Sequence, residues 1–232
     1  QDWLTANAFG ARQYPCGSSA PLRIWERHMN IAIIGAGNVG TALATSMTHA
    51  GHEVAISAAD PAHAQRAAEA SGARAAQDNA AAVRDADVVV LAIPYVAAGE
   101  EVAMGIAPLV AGKVVIDATN PIATDYQSLV TNGTSAAETF QQRLPDAKVV
   151  KAFNSMFASH MAAPSADVDA FVAADDEAAK AHVLSLVDSL GFNALDVGPL
   201  SFARHLEGMA FVNIALNASN GWSWVSAWKL ER

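Results

Sequence analysis

One short segment limits the fold of this chain more than any other: residues 31–43 read Ile-Ala-Ile-Ile-Gly-Ala-Gly-Asn-Val-Gly-Thr-Ala-Leu. An apolar strand leads into a glycine-rich turn, and a helical run follows at once. In dinucleotide-binding folds, parts in this order hold a pyrophosphate at the helix N-terminus, where free N–H groups and the helix dipole favour negative charge. The segment therefore predicts a dinucleotide site formed by Gly35, Ala36, Gly37, Asn38, Val39 and Gly40.

Each glycine of this turn is expected to have its own role. Gly35 permits the tight exit from the strand, Gly37 lets the backbone approach the phosphates without a Cβ, and Gly40 lets the helix pack closely on the sheet. A glycine-rich turn without any ligand is the alternative. The flanking strand and helix favour the site.

Strand-like and helix-like segments alternate along the rest of the chain. The apolar run Ala86–Ile93 is typical of a strand buried on both faces, and further strands are predicted to end at Ser57, Asp117 and Phe153. A helix is predicted at Val96–Val110. Such alternation indicates right-handed crossovers. The predicted fold class is α/β, a Rossmann-type doubly wound, mostly parallel sheet with a small C-terminal helical appendage.

The chain is predicted to have three parts. Residues 1–28 begin without methionine and lack both periodicity and the apolar core of a secretion signal, so we expect a non-native or irregular segment. A native arm packed on the sheet is the alternative. Residues 29–200 are predicted to form the dinucleotide-binding domain, and residues 201–232 a small C-terminal part.

Two features distinguish that C-terminal part. Ala203–Asn217 is apolar around most of its circumference, so we expect it to be buried, either in its own core or against a partner chain. Trp222, Trp224 and Trp228 follow close together. Such a cluster can plug a core, form an interface or provide a stacking platform for a planar ring.

Composition and charge exclude several functions. A net charge of −9 lacks the basic surface that nucleic acid requires, and no apolar stretch approaches the roughly 20 residues of a membrane span. The single cysteine, Cys16, excludes a disulfide framework, and no metal-ligand spacing is present. We therefore expect a cytoplasmic protein whose partners are small molecules rather than nucleic acid or membrane.

Ligands of a parallel sheet bind beyond the carboxyl ends of its strands, and this rule selects further candidates. A hydroxyl, small apolar residues and an amide follow three of the predicted strands. The candidate cofactor-binding residues are Ser57, Ala58, Ala92, Ile93, Pro94, Thr119 and Asn120. The Asn120 amide is placed to face a nicotinamide ring.

Two charged residues near strand ends allow two interpretations each. Asp60 lies about 20 residues beyond the glycines, where an acidic side chain binds the ribose of NAD, but it also precedes Pro61 as an ordinary helix N-cap. Lys151 near a strand end is either paired with a carboxylate or facing a ligand. The choice between NAD and NADP stays open.

No acid–base device is evident, and no catalytic residue is predicted. The histidines are scattered, and the sequence lacks both a Gly-x-Ser-x-Gly motif and a P-loop lysine. A hydride that passes directly between two redox rings requires alignment rather than a protein acid or base. This pattern favours an oxidoreductase that works between two cofactors over an alcohol dehydrogenase.

Taken together, several segments resemble the family of NADPH-dependent coenzyme F420 reductases, the F420:NADP oxidoreductases. The matching segments include residues 34–40, 89–94, 115–121, 149–154, 174–180 and 220–224. The reductase domain of the STEAP metalloreductases is similar too. The resemblance departs at Ala58 and Ala59, where the family carries a Ser-Arg-type pair that grips the 2′-phosphate of NADP.

The resemblance implies hydride transfer between NADP(H) and the stacked deazaflavin ring of F420, or a flavin-like acceptor. It implies a homodimer contact through the C-terminal helix. The residues that it places around the acceptor are Pro121, Asn154, Met156 and Ala158. Alternatives are a metalloreductase-like NAD(P)H:flavin reductase and a non-catalytic dinucleotide-binding redox sensor.

Overall fold

A computed structural model describes residues 28–231, so the predicted N-terminal segment lies outside the described residues apart from His28. Within this range, eight strands form one sheet. They are β1 (Asn30–Ile34), β2 (Glu53–Ser57), β3 (Arg74–Ala75), β4 (Val88–Leu91), β5 (Val114–Asp117), β6 (Lys148–Lys151), β7 (Asp169–Ala174) and β8 (Asn193–Gly198).

The strand order is β3-β2-β1-β4-β5-β6-β7-β8. Strands β1 to β6 are parallel, whereas β7 pairs antiparallel with β6 and β8 runs parallel to β7. The carboxyl ends of β1 to β6 therefore share one edge of the sheet. This arrangement confirms the predicted Rossmann-type, mostly parallel α/β fold.

In the described part of the chain, eight α-helices connect and cover the strands. They are α1 (Asn38–His49), α2 (Pro61–Ser71), α3 (Asn79–Val83), α4 (Glu100–Ile106), α5 (Ala136–Arg143), α6 (Ala158–Ala162), α7 (Glu177–Leu190) and α8 (Ala203–Asn220). The short elements β3, α3 and α6 have too few residues for a clear periodic pattern, and the sequence did not predict them.

The single helix predicted at Val96–Val110 is broken into three pieces. A π-helical turn at Tyr95–Gly99 precedes α4, and a 3₁₀ turn at Ala107–Leu109 follows it. Pro108 lacks the N–H that a continuing α-helix requires, and Gly99 and Gly105 add backbone freedom. The apolar run alone did not predict these interruptions.

Two buried clusters lie on opposite faces of the sheet. In β1, Ile31 and Ile33 join the cluster that includes α1 and α7, while Ala32 and Ile34 join the cluster that includes α4 and α5. Successive side chains of a strand point to opposite faces. This explains why the central strand β4 is apolar at every position.

Helix α8, predicted to be buried in its own core or against a partner chain, is only partly covered by its own chain. Its inward face follows helical spacing but includes Glu207, Asn213 and Asn217, while Val212 and Leu216 remain exposed at 49% and 42%. Glu207 pairs with Lys151 of the sheet, and the two asparagines form hydrogen bonds with Ser226. The division of the chain at residue 200 stays a prediction.

Between residues 28 and 231, no helix is long and apolar enough to cross a lipid bilayer.

Candidate functional site

The turn between β1 and α1, residues 35–40, has the shape that its glycines predict. Gly35 has a φ of +112°, and a Cβ there would lie 2.2 Å from the Ala92 carbonyl oxygen. A Cβ on Gly40 would lie 1.8 Å from the Gly35 carbonyl oxygen. By contrast, a Cβ on Gly37 would meet nothing within 4 Å. The protein's own packing thus requires Gly35 and Gly40, whereas the space at Gly37 is open to a ligand.

The N-terminus of α1 is free to receive an anion. Helices α2, α5 and α7 begin with side-chain caps from Asp60, Ser135 and Asp176. Among the described residues, no side chain caps α1, whose N-cap is the extended Gly37. Unpaired N–H groups at a helix start attract phosphate. The residues present therefore fit a dinucleotide pyrophosphate.

A cavity of about 500 Å³, here called the strand-end cavity, lies beside this turn. It opens beyond the carboxyl ends of β5 and β6, between the start of α1 and the inner face of α8. Its volume suits a small organic ligand. The lining residues carry no formal charge and are Asn38, Val39, Asn120, Asn154, Ser155, Met156, Phe157, Ala158, Ser159, Ala210, Asn213, Ile214, Ser223 and Trp224.

The structure brings six of the predicted site residues together in the strand-end cavity: Asn38, Val39, Asn120, Asn154, Met156 and Ala158. Ala92 and Ile93 lie against Gly35 at the neighbouring strand end. The cavity lining does not include Ala58, Pro94, Thr119 or Pro121. Ser57 is fully buried, and its hydroxyl donates to Asn79 Oδ1 at 2.8 Å rather than facing open space.

Two asparagines join the ends of β5 and β6. Asn120 Nδ2 donates to the Asn154 carbonyl oxygen at 2.9 Å, and Asn154 Nδ2 donates to Asn120 Oδ1 at 3.0 Å. Asn154 Nδ2 also donates to the Leu206 carbonyl oxygen on α8 at 3.0 Å. The Asn120 amide, expected to face a nicotinamide, is therefore held by Asn154. This pair fixes the floor of the cavity.

A buried ionic cluster lies below that floor. Lys151 Nζ donates to Asp117 Oδ2 at 2.8 Å, to the Thr119 carbonyl oxygen at 2.7 Å and to Glu207 Oε1 at 2.9 Å. All three ionisable side chains are almost completely buried. The structure thus places Lys151 in a structural pairing, which joins β5, β6 and α8.

The cluster shifts two pKa values. Burial alone would lower the pKa of Lys151, but the charges of Asp117 and Glu207 outweigh it and raise that pKa. Burial raises the pKa of Glu207 above that of an ordinary glutamate, although Lys151 opposes the shift. Glu207 also accepts a hydrogen bond from the Ala136 N–H at the start of α5. These contacts support a structural rather than a proton-transfer role.

The sequence missed most of the outer wall of the cavity. Trp224 is 46% exposed, and its ring meets the Phe157 ring edge-on at 5.5 Å. Ser159 Oγ donates to the Trp224 carbonyl oxygen at 3.2 Å, which holds this tail segment against α6. Trp228 instead packs near Phe171, and Trp222 is 48% exposed. Their clustering in sequence was the one available signal, and it did not distinguish their roles.

Asp60 caps α2, as predicted by the interpretation that it is an ordinary helix N-cap. Its Oδ1 accepts a hydrogen bond from the Ala62 N–H at 2.9 Å, and its Oδ2 lies 3.5 Å from His63 Nδ1. Both side chains are more than half exposed. The cap leaves one carboxylate oxygen near the carboxyl end of β2.

Comparison with known proteins adds independent findings. The family described as NADP oxidoreductase, coenzyme F420-dependent, matches residues 30–121. A protein assigned as an F420-dependent NADP reductase from Arthrobacter sp. FB24 is 31% identical, with a TM-score of 0.79 over 88% of this chain and 100% of that one. A hypothetical protein from Sinorhizobium meliloti is 28% identical, with a TM-score of 0.69 over 88% and 96%.

A more distant structure has the same fold. An imine reductase from Myxococcus stipitatus in complex with NADP⁺ is 16% identical, with a TM-score of 0.64 over 83% of this chain and 63% of that one. A search of curated protein sequences found no significant match.

Proposed function

Because the chain belongs to the family of coenzyme F420-dependent NADP oxidoreductases and is therefore an oxidoreductase, we propose that it transfers hydride between two bound rings. One ring is the nicotinamide of an NAD(P) dinucleotide whose pyrophosphate lies at Gly37, Asn38 and Val39. The other is a deazaflavin such as F420, or a flavin-like ring, in the strand-end cavity.

The observation that carries this proposal is the uncharged lining of the strand-end cavity. The uncharged polar groups and the aromatic Trp224 of this lining suit a neutral planar ring with a hydrogen-bonding edge. Asn38 and Val39 belong both to this cavity and to the start of α1. A ring in the cavity would therefore lie next to a dinucleotide bound at the turn.

Alignment is the main contribution that the protein makes in this mechanism. The bound dinucleotide supplies a hydride, and transfer between two rings requires no protein acid or base. The Asn120–Asn154 pair fixes the strand ends, and the inner face of α8 and Trp224 would lie against a ring bound in the cavity. Holding reactants in register can by itself supply a large part of a rate enhancement.

A direct test mixes the full-length protein with NADH or NADPH and then adds F420, FMN or a ferric chelate. We expect loss of nicotinamide absorbance with a deazaflavin or flavin acceptor. Reduction of the ferric chelate alone would favour a metalloreductase-like activity instead. Dinucleotide binding without oxidation by any acceptor would contradict the proposal and favour a redox sensor.

The substitution Gly37→Val tests the placement of the dinucleotide. A side chain there meets no protein atom within 4 Å, so we expect the melting temperature to change little. It would fill the space for the pyrophosphate, and nucleotide binding should fall at least about 100-fold. Gly105→Val, at an equally open and exposed glycine of α4, is the matched control. Retained binding in Gly37→Val would show that the site lies elsewhere.

We further propose a homodimer through α8 and a cytoplasmic location. Val212 and Leu216 leave apolar surface on the outer side of α8, and Trp222 continues it. A second copy of the chain could cover this surface. Sedimentation equilibrium should give twice the monomer mass, and Val212→Asp should shift it to the monomer. A monomeric wild-type protein would contradict the dimer.

A further inference from the structure

The carboxyl end of β2 is where the adenosine ribose of a bound dinucleotide would lie. The side chains at this strand end provide no group that would bind a phosphate. The Ser57 hydroxyl is buried and donates to Asn79 Oδ1. Ala58 and Ala59 have no polar side-chain atoms. An NADP site requires cationic or donor groups around the 2′-phosphate. The residues that end this strand do not supply them.

The charge at this edge has the wrong sign for a 2′-phosphate. Asp60 caps α2, and Asp78 caps α3 at the adjacent end of β3. Both carboxylates are exposed, and residues 57–60 and 76–79 contain no lysine or arginine. His63 is the first basic residue along α2, and its Nδ1 lies 3.5 Å from Asp60 Oδ2. A 2′-phosphate would bring more negative charge close to these two carboxylates.

We propose that this chain binds NAD(H) in preference to NADP(H), and that Asp60 is the specificity-determining residue. Asp60 Oδ1 is used by the helix cap, whereas Oδ2, which lies 3.5 Å from His63 Nδ1 and is exposed, has a further lone pair that can accept a hydrogen bond from a ribose hydroxyl. The same carboxylate repels a 2′-phosphate. This inference rests on the dinucleotide site proposed above. It disagrees with the cofactor in the family's name, because the residues present do not fit the extra phosphate.

The test measures dissociation constants of NADH and NADPH for the full-length protein by calorimetry, without any acceptor. We expect NADH to bind at least about tenfold more tightly than NADPH. The Asp60 carboxylate and a neighbouring 2′-phosphate carry like charges, which repel each other even when they are partly solvated. Asp60→Asn preserves the helix cap, since asparagine caps equally well, and removes only the charge. In this variant, the ratio of the NADPH dissociation constant to the NADH dissociation constant should move about tenfold closer to unity. The melting temperature should not change.

A matched control makes the same change at another helix cap. Asp176 caps α7, which follows the antiparallel strand β7 and so begins at the opposite edge of the sheet. Asp176→Asn should leave the NADPH:NADH ratio at the wild-type value. In the Asp60→Asn background, Ala59→Arg should tighten NADPH further by adding a phosphate partner.

The outcomes separate this inference from the proposed function. Tighter binding of NADPH than NADH by the wild-type protein, or an unchanged ratio in Asp60→Asn, would overturn the assignment of Asp60 and leave the hydride transfer standing. Preferred NADH binding with no oxidation by any acceptor would support the assignment and contradict the transfer. Binding of neither nucleotide would overturn both.

Discussion

The turn at residues 35–40 and the strand-end cavity lie side by side at one edge of the sheet, yet they are built differently. The turn is a continuous piece of backbone whose shape depends on Gly35 and Gly40. The cavity is assembled from side chains of separate segments, from Asn38 to Trp224. The other residues of the turn can therefore be replaced without loss of its shape. The cavity, by contrast, depends on the contacts that hold α8 in place.

The strongest test of this difference is Lys151→Met. Removing the cation leaves Asp117 and Glu207 buried without compensation, which should lower the free energy of unfolding by about 4 kcal/mol. Urea unfolding followed by tryptophan fluorescence would measure it. Because the lost contacts hold α8, acceptor binding should weaken more than dinucleotide binding.

Lys148→Met on the same strand is the control for this change. Lys148 pairs with Asp176 at 3.3 Å, but both side chains are more than a third exposed. The control should cost less than about 1 kcal/mol. If the two variants lost equal stability, the cluster would not be what fixes α8 to the sheet.

A smaller effect is expected from Trp224→Ala, which alters the cavity and leaves the turn intact. Loss of the aromatic wall should raise the acceptor KM about fivefold, the equivalent of about 1 kcal/mol for a stacked ring. The dissociation constant of the dinucleotide should not change. Steady-state kinetics and calorimetry would measure the two quantities.

Trp222→Ala is the matched control, because Trp222 has nearly the same exposure and does not line the cavity. It should leave the acceptor KM at the wild-type value. An equal rise in KM for both variants would mean that the tail acts as a whole and that Trp224 has no particular contact with the ring.

The contrast between the two regions also explains what the sequence could predict. Glycine spacing and strand patterning are local features that can be recognised in the sequence. The Rossmann-type fold and the shape of the turn were predicted from them, and the structure confirms both. The partners of Lys151 lie 34 and 56 positions away along the chain, and no local pattern connects them. Residue type alone left open whether Lys151 was paired or facing a ligand.

For a related reason, the sequence did not show which face of α8 packs against the rest of the chain. Counting apolar residues around the helix ignores what its inner face meets. Glu207 meets a buried lysine, and Asn213 and Asn217 form hydrogen bonds with Ser226. The inner face of α8 is therefore polar at these three positions, and apolar residues are exposed on its outer face.

The tail segment that carries Trp224 gives the protein an order of assembly. The chain has supplied the turn and the end of β4 by residue Pro94, whereas Asp117 and Asn120 at the end of β5 still require their partners Lys151 and Asn154. The outer wall of the cavity waits until Trp224 has emerged and the Ser159 hydroxyl can hold it. The residues of the turn are thus synthesised well before those that would enclose a second ring.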